Sequence, residues 1–119
     1  LRFRAITLDA REDELEGTER FWVQGFGYRC VRVSGPFVVL GHDDLGWPEI
    51  ILQRVSESKT TKSPVHVDIE SEDVGADAAR LKRLGAEELP PVLERGRHWL
   101  VLRDPAGNEF CLVTPRAEP

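Results

Sequence analysis

Val65-His66-Val67-Asp68-Ile69 decides the fold, because the first half of the chain opens in the same way with Ile6-Thr7-Leu8-Asp9-Ala10. An acidic stretch and an amphipathic helical pattern follow each segment. Phe26-Gly27 closes the first helix and Leu84-Gly85 the second. Glu49-Ile50-Ile51-Leu52 returns as Glu109-Phe110-Cys111-Leu112. The spacings are 59 residues from Ile6 to Val65, 58 from Gly27 to Gly85 and 60 from Glu49 to Glu109, in a chain of 119. Three matches in register imply a duplicated module, so function is to be sought on matched positions of the two halves.

Working outward, residues 2–9 read as a strand and 12–25 as a helix whose acidic start suits the helix dipole. Leu15, Thr18, Phe21 and Trp22 mark its inner face, and Gly25 and Gly27 its end. Strands are expected over 28–33, 37–40 and 49–55, with a Gly35-Pro36 turn and a 42–48 loop between them. The polar stretch 56–64 is the natural linker. Val65 to Glu70 alternates, with Val65, Val67 and Ile69 on one face and His66, Asp68 and Glu70 on the other. Ser71 or Asp73 can cap a helix over 74–84. Strands near 87–89, over 99–103 and over 109–113 complete the second half, with Pro90-Pro91 as a break and Asp104-Pro105-Ala106-Gly107 as a turn. The order is βαβββ, twice. The expected fold is α+β: modules 1–55 and 65–115 forming a curved, cup-shaped mixed sheet within one domain, with helices on the outer face.

Composition bounds the function. A chain of 119 residues with 40% hydrophobic and 31% charged residues reads as one globular domain, not a disordered one. No apolar run approaches the roughly 20 residues of a membrane span, and Leu1-Arg2-Phe3-Arg4 leads straight into a strand rather than a secretory signal. A net charge of −5 with scattered basic residues argues against nucleic acid. Cys30 and Cys111 lack the spacing of a zinc or redox pair and read as reduced, buried residues of a cytoplasmic protein.

These segments carry a resemblance. The doubled βαβββ order, Val65-His66-Val67-Asp68-Ile69, the helix end Arg80-Leu81-Lys82-Arg83-Leu84-Gly85-Ala86 and Arg103-Asp104-Pro105-Ala106-Gly107-Asn108-Glu109-Phe110-Cys111-Leu112 together resemble the vicinal oxygen chelate superfamily. That superfamily includes glyoxalase I, the bleomycin-resistance proteins and the extradiol dioxygenases. The nearest branch is the short bacterial glyoxalase-like proteins, which the Phe21-Trp22 pair also resembles. The resemblance implies a homodimer and a divalent metal held by one early-strand and one late-strand residue of each module. Carried over, the second module's positions fall on His66 and Cys111. The first module's fall on Thr7 by strand alternation, or Ile6 by raw spacing, and on Ile51. Only His66 is a good ligand and Cys111 a second one, whereas a divalent metal wants three or four N, O or S donors. No metal or other cofactor is therefore assigned.

The expected function is the binding of a small organic molecule in the cup, without a complete metal site. The candidate ligand-binding residues are His66, Asp68, Trp99, Cys111, Trp47, Thr7 and Ile51; catalytic residues are not assigned. His66 suits a ligand contact or a base, and Asp68, two residues on, can hold the imidazole or the ligand. Cys111 packs, or acts as a nucleophile if His66 lies beside it. Large aromatics in a concave site suit flat molecules: Trp47, in a Gly-Trp-Pro loop, suits a lid or an interface contact, Trp99 faces either ligand or helix, and Trp22 suits the core. Arg95, Arg97 and Arg103 suit a ligand carboxylate or a solvated rim. Two alternatives remain. One is a glyoxalase-type lyase or isomerase whose metal gains help from Glu49, Glu109 or a partner chain. The other is an interaction module without a ligand.

Overall fold

The computed structural model describes residues 1–90, 92–94 and 97–115. The chain divides into two compact units, Leu1–Lys59 and Thr60–Pro119, with the boundary inside the polar 56–64 stretch. Each unit has its own mixed sheet and helix.

The first unit runs β1 (Ala5–Arg11), α1 (Glu12–Phe26), β2 (Arg29–Ser34), β3 (Phe37–Gly41) and β4 (Glu49–Val55), with sheet order β1-β4-β3-β2. β1 and β4 are parallel, and β3 runs antiparallel to both β4 and β2. α1 starts where Glu14 reaches back, its Oε1 accepting from the Arg11 backbone N–H at 3.0 Å, which satisfies a donor the helix cannot use. It ends at Gly27, whose φ of +83° is costly for any residue with a Cβ. A Cβ there would also lie 3.2 Å from His42 Nε2. The helix buries Thr18, Phe21 and Trp22, and β3 and β4 bury Val38, Leu40, Ile50 and Leu52.

The second unit runs β5 (Val67–Glu70), α2 (Val74–Arg83), β6 (Glu87–Glu88), β7 (Val92–Glu94), β8 (Arg97–Arg103) and β9 (Glu109–Val113). The order β5-β9-β8-β6 repeats that of the first unit, again with the first and last strands parallel. Asp73 caps α2 by accepting from the Ala76 N–H at 3.0 Å, and Arg80, Lys82 and Arg83 complement its C-terminal dipole. Phe110, Leu112, Leu102 and Leu81 are almost fully buried.

The paired βαβββ modules expected from the sequence are present, with two differences. β5 starts at Val67, and Val65 is exposed ahead of it. The edge strand of the second sheet is split: β6 pairs with the Leu102–Arg103 end of β8, and β7, absent from the sequence reading, pairs with its Arg97–Trp99 end. Pro90, lacking an N–H, lies where the pairing is interrupted.

Candidate functional site

Strand alternation in β9 sends Phe110 and Leu112 to one face, and Glu109 and Cys111 to the other. Parallel pairing sets Asp68 directly opposite Cys111 and Val67 opposite Phe110, so His66 arrives beside Glu109. His66 Nε2 lies 3.6 Å from Glu109 Oε2, and Lys62 Nζ, carried in by the linker, lies 3.7 Å from the same oxygen. The Glu109 side chain is only 3% exposed, whereas those of Lys62 and His66 are 68% and 33% exposed. Glu109 Oε2 accepts no hydrogen bond. A buried carboxylate oxygen is thus compensated by charge alone, at distances too long for hydrogen bonding.

The neighbouring thiol reports the same field. Burial pushes Cys111 up from about 9 to about 11; the charge of Asp68 and its hydrogen bond add to the rise, as does the charge of Glu109, and Lys62 opposes it. A thiol held there stays protonated at neutral pH and is a poor nucleophile. The reactive use of Cys111 beside His66 that the sequence allows is therefore disfavoured. Lys62 escaped the sequence reading: a single lysine in a polar linker carries no pattern that points to a buried carboxylate 47 residues further along the chain.

The matched face of the first unit is chemically plainer. Thr7 pairs with Ile51 and Ala5 with Glu49. Thr7 is thus the counterpart of Asp68, which also faces the last strand at its third residue, and the counterpart of His66 is Ala5. This differs from the sequence expectation, which matched His66 with Thr7 or Ile6; the parallel register, not raw spacing, fixes the correspondence. Glu49, the counterpart of Glu109, meets Arg4 Nε at 4.0 Å, and its Oε1 likewise accepts no hydrogen bond. Thr7 is exposed and Ile51 half-buried.

Trp47 lies elsewhere in the first unit. Its ring stacks on His42 at 4.9 Å and 7°, with Phe26 and Tyr28 at 6.1 and 5.9 Å. His42 Nδ1 accepts from the Asp44 N–H at 3.0 Å, so the proton sits on Nε2, which donates to the Phe26 carbonyl at 2.7 Å. Tyr28 donates to the Pro48 carbonyl at 2.8 Å, and burial pushes its hydroxyl up to about 12. These bonds tie the 42–48 loop to the end of α1. Trp22 is in the core, as expected. Arg103 Nη1 meets Glu87 Oε1 at 3.8 Å. The side chains of Trp99 and Arg97, and Arg95 altogether, lie outside the described residues.

The metal implied by the resemblance can be tested against these donors. In the second unit His66 and Glu109 approach each other with an ammonium alongside, and Cys111 is held as a thiol. In the first unit Ala5 and Ile51 offer no donor. Among the described residues, no three His, Cys, Asp or Glu side chains converge as a metal cluster would require. The donor set of each unit does not fit a resident divalent cation.

Two βαβββ units, each closing a sheet of order first-fourth-third-second strand, define the vicinal oxygen chelate class. Within it, residues 5–113 match the family model described as a glyoxalase-like domain, and the chain belongs to that family. No curated protein matches it in sequence. Its fold is similar to that of the fosfomycin resistance protein FosX from Listeria monocytogenes, solved with Mn(II) and 1S,2S-dihydroxypropylphosphonic acid. The TM-score is 0.74 at 20% identity, over 99% of this chain and 92% of that one. It is also similar to TnmS3, an antibiotic binding protein from Streptomyces sp. CB03234, with a TM-score of 0.67 at 16% identity over 98% and 97% of the two chains. A hypothetical protein, SA1046, from S. aureus gives 0.71 at 16% over 96% and 93%. At these identities the likeness is one of fold.

Proposed function

We propose that this glyoxalase-like protein binds a small organic molecule through its second unit and holds no complete metal site. The observation that carries the reading is the donor count at matched positions. Ala5 and Ile51 offer nothing, and His66 and Glu109 face a lysine ammonium. A buried carboxylate, an accessible histidine and Asp68 on one sheet face supply the few convergent polar groups that orient a ligand. The antibiotic-binding TnmS3 shares the fold and supports sequestration as a use of it. The test is metal content by mass spectrometry, then calorimetric titration with nickel, zinc and manganese, then a screen of aromatic natural products by tryptophan fluorescence. No stoichiometric metal together with saturable quenching is expected. A stoichiometric metal that is lost in His66→Ala overturns the reading and favours a lyase or isomerase.

The same reading includes a homodimer in the cytoplasm. The fully exposed edge strand β2, with Val31 and Val33 on it, supports association, since such edges seek a partner. Two free cysteines support a reducing compartment. Sedimentation equilibrium at twice the chain mass is the expected result; a monomer at high concentration contradicts the dimer.

A further inference from the structure

We infer that the Lys62–His66–Asp68–Glu109–Cys111 cluster is a receptor for the primary ammonium group of a ligand, and that Lys62 stands in for that group when no ligand is bound. The inference rests on the small-molecule reading above and gives it a ligand class. All five residues belong to the second unit. Glu109 meets the Lys62 ammonium, His66 adds charge only if protonated, and a second carboxylate, Asp68, pairs across the strands with Cys111. Cys111 pairs with Asp68 across the strands and lies two residues from Glu109; burial is the main cause of its raised thiol, with the charges of Asp68 and Glu109 adding to it and that of Lys62 opposing.

Glu109 supplies the second, independent sign. Its side chain is more than nine-tenths buried, yet Oε2 accepts no hydrogen bond. Leaving such an acceptor unmet is costly, and an ionised acceptor forms the stronger kind of hydrogen bond when a donor is supplied. Lys62 reaches only to 3.7 Å, on a side chain that is mostly exposed and held by a nonregular segment. A rotamer change of Lys62, which lies outside the strands, is required to open the way to the oxygen. An incoming R–NH3⁺ can then donate to Glu109 Oε2 at hydrogen-bond distance, with Asp68 on the neighbouring strand, opposite Cys111, as a second negative charge. A ligand carboxylate or phosphonate at the same place meets two carboxylates and is repelled. No covalent step is involved.

The experiment uses the whole chain and three probes of one shape: 1-naphthylmethylammonium, 1-naphthalenemethanol and 1-naphthoate, titrated calorimetrically. The ammonium is expected to bind most tightly. Lys62→Met, a change at an exposed side chain, removes the competitor and is expected to raise the ammonium-over-alcohol preference by about tenfold. Glu109→Gln is expected to abolish that preference. Should Glu109→Gln fail to fold, the Lys62→Met comparison decides alone. Equal affinities for ammonium and alcohol in both proteins, or a preference for the naphthoate, overturn the inference and leave the small-molecule reading standing. Binding of none of the three to either protein overturns both.

Discussion

The two turns that lead into the last strand of each unit are built alike and situated differently. In the first unit Asp44 Oδ1 accepts from the Gly46 N–H at 2.9 Å, and the Trp47 N–H bonds to the Asp44 carbonyl at 3.1 Å. In the second, Asp104 Oδ1 accepts from the Ala106 N–H at 3.0 Å, and the Gly107 N–H bonds to the Asp104 carbonyl at 2.9 Å. The duplication therefore extends through the turn, with the same 60-residue spacing as Glu49 and Glu109. Asp44 is exposed; Asp104 is buried and also accepts from the Asn108 backbone at 2.8 Å and its amide at 3.1 Å. The same contrast continues into the strands. Ala5, Thr7, Glu49 and Ile51 become His66, Asp68, Glu109 and Cys111. A duplicated scaffold thus keeps its backbone devices in both copies and concentrates ionisable groups in one.

The largest effects expected of substitutions concern what the units share. Phe21→Ala empties a fully buried site on α1 of the first unit, and Phe110→Ala one on β9 of the second. Each is expected to cost about 3–5 kcal/mol in urea denaturation. A loss below about 1 kcal/mol for either would show that unit to be without an independent core.

Next come the turns. Asp104→Ala leaves buried N–H donors unmet and is expected to cost about 1–3 kcal/mol. Asp44→Ala, at the exposed copy, is expected to fall within about 0.5 kcal/mol. Equal costs would break the comparison.

Titration at high pH separates the units again. Cys111 in the second unit ionises near 11 when folded against about 9 unfolded, so the folded state holds its proton more tightly. Its contribution is complete below pH 9 and is lost as pH rises toward 11. Tyr28 in the first unit, raised from 10 to about 12, acts one unit later by the same sign. Stability of the wild type is expected to fall from pH 9 upward; Cys111→Val is expected to remove the fall between pH 9 and 10, whereas Tyr28→Phe leaves that window unchanged and flattens only the fall above pH 10. An unchanged slope in Cys111→Val contradicts the burial argument.

The smallest effect is kinetic. Cys30 is exposed and Cys111 buried. With an aromatic disulfide reagent at neutral pH, one thiol is expected to react at once and the other only on unfolding. Two fast thiols would mean that Cys111 is open to solvent. The sequence places both cysteines in buried strands, but β2 is an edge strand exposed along its length, and a pattern of apolar residues does not tell edge from centre.

What the sequence made legible follows the same division. The repeat, both helices, the Asp73 cap and the last strand of each module were readable because local periodicity and turn chemistry set them. The first-module counterpart of His66 was not, since strand register is fixed by pairing partners: alternation put it at Thr7 and raw spacing at Ile6, where the register gives Ala5. Alternation put His66 and Asp68 on one strand face and the resemblance singled out Cys111, with a meeting of His66 and Cys111 left to how the strands pair; the parallel register sets Asp68 opposite Cys111. Glu109 was weighed as a helper two residues before the late-strand position, and the structure makes it the centre of the cluster. Lys62 comes from a segment without periodicity, so its contact is a tertiary fact.

The claim that the ligand chemistry belongs to the second unit is tested most directly by mapping backbone amide chemical shifts while 1-naphthylmethylammonium is titrated into the labelled protein. Saturable shifts are expected at Lys62, His66, Asp68, Glu109 and Cys111, with Ala5, Thr7, Glu49 and Ile51 unmoved. Shifts centred on the first-unit positions, or none at saturating probe, would contradict it.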